Sequence, residues 1–123
     1  MMGDNYKTII VVDKDIPNLV ETNLMLKPYH LVFPASSLAK MYIILEEIIP
    51  DLIILDKSSA REYAADVMTK ACSENHKYSI PVLITILGKD EVRDCPNLQF
   101  MHYIIKPFTS QNLLTCISNV LKQ

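Results

Sequence analysis

Glycine is nearly absent from this sequence, and its absence excludes one large group of binding sites. Only two of the 123 residues are glycine, Gly3 and Gly88. Phosphate-binding loops of the GxGxxG and GxxxxGK[ST] types need several glycines at fixed spacings, so this chain contains neither loop. Nucleotide binding through a glycine-rich loop is therefore excluded.

Long apolar runs and an excess of one charge are also lacking. The longest uninterrupted apolar run, Met41 to Leu45, has five residues, whereas a membrane-spanning helix needs about 20. No basic stretch followed by an apolar one opens the sequence, which argues against a secretory signal. Twelve Lys and Arg against fourteen Asp and Glu give a net charge of −2 at pH 7. We therefore expect no membrane partner and no direct contact with nucleic acid.

Cysteine and histidine are few and scattered. The three cysteines form no Cys-x-x-Cys pair and predict reduced thiols in a cytoplasmic protein: Cys72, Cys95 and Cys116. The three histidines show no spacing typical of metal ligands: His30, His76 and His102. Neither a zinc site nor a disulfide framework is indicated.

The sequence does contain two kinds of segment in alternation. Short, β-branched apolar runs predict strands buried on both faces of a parallel sheet. These runs are Thr8–Val12, Leu52–Leu55, Val82–Thr85 and Tyr103–Ile105, with His30–Phe33 as a weaker fifth candidate. Since half of the residues are apolar, the chain can form one core, and we expect a single domain over residues 1–123.

Between these runs, apolar residues recur at helical spacing. The predicted stripes are Ile16, Leu19, Val20 and Leu24; Leu38, Met41, Tyr42, Leu45, Ile48 and Ile49; Ala60, Tyr63, Ala64, Val67, Met68, Ala71 and Cys72; and Leu113, Leu114, Ile117, Val120 and Leu121. The alternation of strand and helix predicts an α/β domain with a doubly wound parallel sheet and helices on both faces.

Proline and capping residues predict where these helices begin and end. Pro17 can open the first helix and Pro50 can end the second. A capping box formed by Ser59 and Glu62 predicts that the third helix begins at about Ser59 or Ala60. Between Thr85 and Tyr103 the apolar pattern is interrupted by Pro96, which predicts a short or irregular helix there.

Polar residues stand where the predicted strands end. Asp13, Asp56, Thr85 and Lys106 each lie at the carboxyl end of a strand, the edge at which open parallel sheets bind ligands. A carboxylate can attack phosphorus and form an aspartyl phosphate, with a cation and a hydroxyl stabilising the charge that develops. The set therefore favours phosphoryl chemistry over Ser/His or Cys/His catalysis.

Four segments together resemble the receiver domains of two-component response regulators. They are Ile9–Asp13, Pro50–Asp56, Ile80–Thr85 and Tyr103–Phe108. The resemblance covers about residues 7–122 and implies a flavodoxin-like sheet of five strands in the order 2-1-3-4-5. It implies a single receiver-like domain and a signalling role in the cytoplasm, within a two-component system or phosphorelay.

The resemblance also implies a role for each matching residue. Asp56 matches the phosphoacceptor, and Lys106 and Thr85 match the lysine and hydroxyl that assist it. Asp13 matches an acidic-pocket residue, and Tyr103 matches the switch aromatic. The metal implied is Mg²⁺, held by Asp13, Asp56 and the backbone carbonyl of Ser58.

Departures from the family pattern surround the phosphoacceptor. The family has a second acid after the first strand, where this sequence has Lys14, and Asp15 is one position too far along. The loop after Asp56 lacks the usual Pro and Gly, and Ile86 stands where a small residue is usual. The Lys14 ammonium can repel a divalent cation and can pair with Asp56 instead, so weak or absent Mg²⁺ binding is expected. The alternative is that Lys14 extends into solvent on its flexible side chain and disturbs the pocket little.

Two functions of different classes remain open at this stage. In the first, the chain takes a phosphoryl group from a histidine kinase or phosphotransfer protein onto Asp56 and changes conformation. In the second, it is a pseudo-receiver that binds another protein without regulated phosphorylation. We expect the chain to be no enzyme, with at most self-catalysed phosphoryl transfer as its activity. The output is expected to be a downstream protein target, or an output domain outside this sequence.

Overall fold

The computed structural model describes residues 6–60, 80–88 and 102–122. Their strands are β1 (Thr8–Val12), β2 (Leu31–Ala35), β3 (Leu52–Asp56), β4 (Val82–Ile86) and β5 (His102–Ile105). Their helices are α1 (Ile16–Leu26), α2 (Leu38–Glu47), α3 (Lys57–Ala60) and α4 (Ser110–Leu121). Three predictions lie outside these residues: the apolar stripe up to Cys72, the irregular helix interrupted by Pro96, and the reduced thiols of Cys72 and Cys95.

All five strands join one parallel sheet in the order β2-β1-β3-β4-β5. The predicted fold class and strand order are therefore confirmed. The three central strands, β1, β3 and β4, are almost wholly buried, whereas β2 and β5 are partly exposed at the edges. This difference explains why the central strands read as continuous apolar runs and β2 does not.

Helices cover both faces of the sheet. Because neighbouring residues of a strand point to opposite faces, each central strand contributes to two separate cores. One core contains Ile53 and Leu55 and packs against α2. The other contains Ile54 and packs against α1 and α4. The polar residues Asp13 and Lys106 stand just beyond the last core residues of β1 and β5, at the carboxyl edge of the sheet.

The first helix begins as predicted but buries a different face. Asp15 caps α1 by accepting a hydrogen bond from the backbone N–H of Asn18 at 3.0 Å. The buried residues of α1 are Leu19, Thr22 and Leu26. The predicted stripe was wrong in three of its four members, which are exposed by 53%, 50% and 61%: Ile16, Val20 and Leu24. The polar Thr22 lies within the buried face, so counting apolar residues selected the neighbouring face.

The ends of two further helices differ from prediction. The second helix ends at Glu47, shortly before Pro50, so Ile48 and Ile49 of the predicted stripe lie beyond the helix. The third helix begins at Lys57, two residues before the predicted Ser59. Asp56 accepts a hydrogen bond from the backbone N–H of Ser59 at 3.1 Å, which is the contact an N-cap residue makes with the third residue of a helix. Asp56 rather than Ser59 therefore caps α3.

Candidate functional site

Four polar residues converge at the carboxyl edge of the sheet. Asp13 follows β1, Asp56 ends β3, Thr85 lies in β4, and Lys106 follows β5. The register pairs Asp56 directly with Thr85, and a hydrogen bond from the Lys106 backbone N–H to the Ile86 carbonyl at 2.7 Å holds the end of β5 beside β4. Both aspartates and Thr85 are buried, each with 4% exposure. The sheet therefore brings these four predicted residues together.

The ammonium of Lys106 lies between the two carboxylates. Its Nζ is 2.9 Å from Oδ2 of Asp13 and 2.8 Å from Oδ1 of Asp56. Burial lowers the pKa of Lys106, but hydrogen bonds to Asp56 and Asp13 and their charges raise it further, so the pKa lies above its ordinary value. The lysine is therefore a permanent cation at the centre of the site.

The second oxygen of Asp56 accepts three hydrogen bonds from the first turn of α3. The hydroxyl of Ser58 donates to Oδ2 at 2.5 Å, and the hydroxyl of Ser59 donates at 2.9 Å. The Ser59 backbone N–H is the third donor, at 3.1 Å. On Oδ1, the Thr85 hydroxyl adds a long contact of 3.4 Å beside the Lys106 ammonium. Five donors therefore surround a carboxylate with about four lone-pair sites.

These donors keep the Asp56 carboxylate charged. Burial raises the pKa of Asp56, because a charged group is less stable away from water. Hydrogen bonds from Lys106, Ser58 and Ser59, together with the Lys106 charge, outweigh this effect and leave the pKa below its ordinary value. Asp56 is therefore an anion at neutral pH and has the electron pair that a nucleophile needs.

Lys14 enters the site through its backbone, contrary to the prediction of an ion pair with Asp56. Its backbone N–H donates to the hydroxyl of Ser59 at 2.7 Å. Among the described residues, the Lys14 side chain is exposed and forms no ion pair with Asp56. Lys106 already occupies that position, so a second ammonium has no reason to give up its hydration. Asp15, as expected from its offset, points away and caps α1.

The predicted switch aromatic stands apart from this cluster. Tyr103 lies on the edge strand β5 and is 39% exposed. Its register partner on β4 is Ile84, the residue before Thr85. The ring is therefore outside the buried polar cluster, while its backbone is joined to the strand that carries Thr85.

The residues present do not fit a divalent metal ion. In the described ranges, no group of three or more His, Cys, Asp or Glu side chains could hold one. The carboxylates of Asp13 and Asp56 face each other across the Lys106 ammonium, which already supplies the positive charge between them. The predicted role of the Ser58 backbone carbonyl stays a prediction, while the Ser58 hydroxyl donates a hydrogen bond to Asp56. Donor protons on Asp56 repel a cation.

Ser59 is the site residue that the sequence reasoning missed. It was interpreted as a helix cap, yet it contacts Asp56 through both its hydroxyl and its backbone N–H. The signal that could have identified it is the segment Asp56-Lys57-Ser58-Ser59. An aspartate at an N-cap position places the second and third helical residues against its own carboxylate.

No family model matches this sequence, and no curated protein does. Solved structures do share its fold. A response regulator receiver domain protein from Clostridium thermocellum is 22% identical, with a TM-score of 0.77 and 94% of each chain covered. A CheY-like receiver domain protein from Methanospirillum hungatei is 20% identical, with a TM-score of 0.77, covering 95% of this chain and 94% of the other.

A third similar structure is the chemotaxis protein CheY4 from Vibrio cholerae. It is 16% identical, with a TM-score of 0.79, covering 94% of this chain and 99% of the other. The strand order and the helices on both faces agree with this group. The chain therefore has the fold of response-regulator receiver domains.

Proposed function

We propose that this chain is a signalling receiver that accepts a phosphoryl group on Asp56 from a histidine kinase or a phosphotransfer protein. The observation that supports this most strongly is the Lys106 ammonium, which contacts both buried carboxylates at 2.8 and 2.9 Å. A plain structural ion pair needs one carboxylate. A cation held between two carboxylates beside a hydroxyl suits a transferring phosphoryl group, whose charge is spread over three oxygens.

The reacting atom in this proposal is Oδ1 of Asp56. Oδ2 accepts three short hydrogen bonds, whereas Oδ1 accepts one short bond from Lys106 and the long one from Thr85. Oδ1 attacks phosphorus and forms the O–P bond as the P–N bond to the donor imidazole breaks. The electron pair of the P–N bond stays on the imidazole nitrogen. Lys106 and Thr85 then turn from Oδ1 to the phosphoryl oxygens.

A conformational change follows from the geometry of β4 and β5 in this proposal. When the Thr85 hydroxyl moves toward the phosphoryl group, β4 shifts with it, and the neighbouring Tyr103 on β5 gains room to turn inward. A downstream target that contacts the Tyr103 ring in its exposed position can therefore distinguish the two states. The proposed output is a target protein, or an output domain outside this sequence.

The exposed apolar residues of α1 support a protein as the phosphoryl donor. Ile16, Val20 and Leu24 follow one another at spacings of four and face outward. Their helix begins three residues after Asp13, so this surface borders the pocket. A donor protein that packs on α1 can bring its phosphohistidine to Asp56.

Among the described residues, no helix is long and apolar enough to cross a membrane.

A pseudo-receiver is the second candidate function. The observation that favours it is the saturated Asp56 carboxylate, since one donor must leave before Oδ1 can react. In that case the same fold binds a partner protein and Asp56 serves only to cap α3. We prefer the receiver because a cap needs neither Thr85 nor a cation shared with Asp13.

Incubation with acetyl phosphate, followed by intact mass spectrometry, distinguishes the two functions. We expect wild type to gain one phosphoryl group and Asp56→Asn to gain none. Asp51→Asn is the matched control, because Asp51 lies at the opposite end of β3 and its contact with the Thr8 backbone N–H survives as an amide oxygen contact. If wild type gains no phosphoryl group, or if Asp56→Asn gains as many as wild type, the receiver function is contradicted and the pseudo-receiver is the remaining candidate.

A further inference from the structure

Two neighbouring hydroxyls and one amide enclose a single oxygen of Asp56. We call Ser58 and Ser59 the serine clamp, because both donate to Oδ2, at 2.5 and 2.9 Å. The Ser59 backbone N–H adds a third bond at 3.1 Å. An sp² oxygen has two lone pairs, so three donors leave none for a further ligand.

The hydroxyl of Ser59 also joins two loops. It donates a hydrogen bond to Asp56 and accepts one from the backbone N–H of Lys14 at 2.7 Å. The loop after β1 is therefore tied to the end of β3 through Ser59. A metal ion shared by the two loops would make the same connection, but here protein groups make it directly.

A divalent cation needs a free lone pair on Asp56, and neither oxygen offers one. Oδ1 faces the Lys106 ammonium at 2.8 Å, which excludes a second cation from that side by charge. Oδ2 is covered by the serine clamp. Of the two sides, only Oδ2 can be opened without removing the lysine, because the clamp consists of neutral groups that can rotate.

We infer that the serine clamp closes Asp56 to divalent cations, so that the pocket is organised without metal and accepts a cation only when the hydroxyls are displaced. The inference rests on the proposed function only in treating Asp56 as the reactive carboxylate of the pocket. It assigns to Ser58 and Ser59 a positioning role that the loss of the second acid at Lys14 does not by itself imply.

Binding of Mn²⁺ alone, without any phosphoryl donor, tests this inference. Paramagnetic broadening of backbone amides in ¹⁵N spectra measures the affinity and shows whether the ion sits beside residues 12–15 and 56–59. The double variant Ser58→Ala/Ser59→Ala should bind at the pocket at least about tenfold more tightly than wild type, since hydrogen bonds to a charged group are worth about 1.5 kcal/mol or more. Adding Asp56→Asn to the double variant should abolish the gain.

Three controls separate the clamp from a general loosening of the fold. Ser59→Thr keeps a hydroxyl and should bind Mn²⁺ more weakly than Ser59→Ala. Ser118→Ala removes an exposed serine on α4 and should match wild type. Urea unfolding of each variant establishes that it is folded. Equal Mn²⁺ affinity in wild type and the double variant, or a gain that survives Asp56→Asn, overturns the inference.

The outcome is independent of phosphorylation. If acetyl phosphate labels no variant but the double variant gains Mn²⁺ affinity through Asp56, the proposed function fails and the clamp stands. If wild type is labelled but the clamp variants bind Mn²⁺ no better, the proposed function stands and the clamp fails.

Discussion

The Nζ atom of Lys106 lies 2.8 Å from Oδ1 of Asp56, although the two residues are 50 positions apart in the chain. Both side chains are nearly buried, with 13% and 5% of their surface exposed. An ion pair this well shielded is sensitive to the loss of either partner, because the remaining charge has little water to stabilise it. The relationship therefore has consequences for stability as well as for chemistry.

Lys106→Met should destabilise the fold by about 3 kcal/mol at neutral pH, since two buried carboxylates then face each other without a cation. Urea denaturation measures the change. The difference from wild type should shrink in acid, where Asp56 becomes protonated and no longer needs the Lys106 cation. Lys122→Met, at the end of α4, serves as the control and should have little effect. A loss for Lys106→Met no larger than the control's would contradict a buried, charged site.

Added to Ser58→Ala/Ser59→Ala, which opens Asp56 to a cation, Lys14→Asp should strengthen Mg²⁺ binding by about a further tenfold, because it removes a repelling ammonium and supplies a carboxylate at the rim of the pocket. Labelling of Asp56 by acetyl phosphate in the presence of Mg²⁺ should become faster as well. Isothermal titration with Mg²⁺ gives the affinity. Lys27→Asp makes the same change of charge at the end of α1 and should leave binding unaltered. A serine double variant that already binds Mg²⁺ as tightly as the triple variant with Lys14→Asp would show that the residue at position 14 does not affect metal binding.

Thr85→Val should separate phosphorylation from the conformational change. The hydroxyl contributes a long contact to Asp56, at 3.4 Å, so its loss should alter stability by less than about 1 kcal/mol. Phosphoryl incorporation should persist, while the shift of the Tyr103 ring on phosphorylation should disappear. Fluorine NMR of 3-fluorotyrosine-labelled protein reports the ring, with Tyr103→Phe giving the assignment. Thr85→Ser should keep the shift, and a full shift in Thr85→Val would sink the proposed switch.

His30 makes the folded state sensitive to mild acid. Its Nδ1 accepts the Lys7 backbone N–H at 3.2 Å, and burial, followed by the Lys7 charge, lowers the pKa of the imidazole from 6.5. Above that value both states are neutral and the contact contributes fully. As the pH falls below it, the unfolded chain takes up a proton that the folded one resists, so stability is lost.

His30→Asn tests this pH dependence, since an amide oxygen can accept the same hydrogen bond without titrating. Between about pH 7.5 and about pH 5.5, wild type should lose up to about 1 kcal/mol more unfolding free energy than the variant. Urea unfolding at several pH values gives the comparison. Parallel stability curves for the two proteins would show that His30 does not titrate differently on folding.

The sheet was predictable because its signal is local and repeated. Each central strand is an apolar run that stops at a polar residue, and the parallel arrangement alone brings Asp13, Asp56 and Lys106 to one edge. The buried face of α1 was not predictable in the same way. Thr22 is a polar residue that is nevertheless buried. The side of α1 that becomes buried is decided by its packing against the sheet and α4.

The serine clamp escaped prediction for a different reason. Whether a serine caps a helix or hydrogen-bonds a neighbouring carboxylate depends on the residue at which the helix begins. Ser59 offers a capping box with Glu62, while the Asp56 carboxylate offers a competing cap three residues earlier. A buried carboxylate without hydrogen-bond donors is strongly destabilising. The helix α3 therefore begins at Lys57, where its first turn supplies donors to Asp56. The start of α3 can therefore be predicted only when the burial of Asp56 is known.

The most direct test of the central claim is the chemical identity of the phosphorylated residue. An aspartyl phosphate is an acyl phosphate, which borohydride reduces to homoserine, whereas a phosphoserine is left intact. After labelling with acetyl phosphate and reduction, peptide mass spectrometry should find homoserine at position 56 and unmodified serine at 58 and 59. A stable phosphoester on Ser58 or Ser59, or no homoserine at position 56 in protein that carries phosphate, would contradict the account.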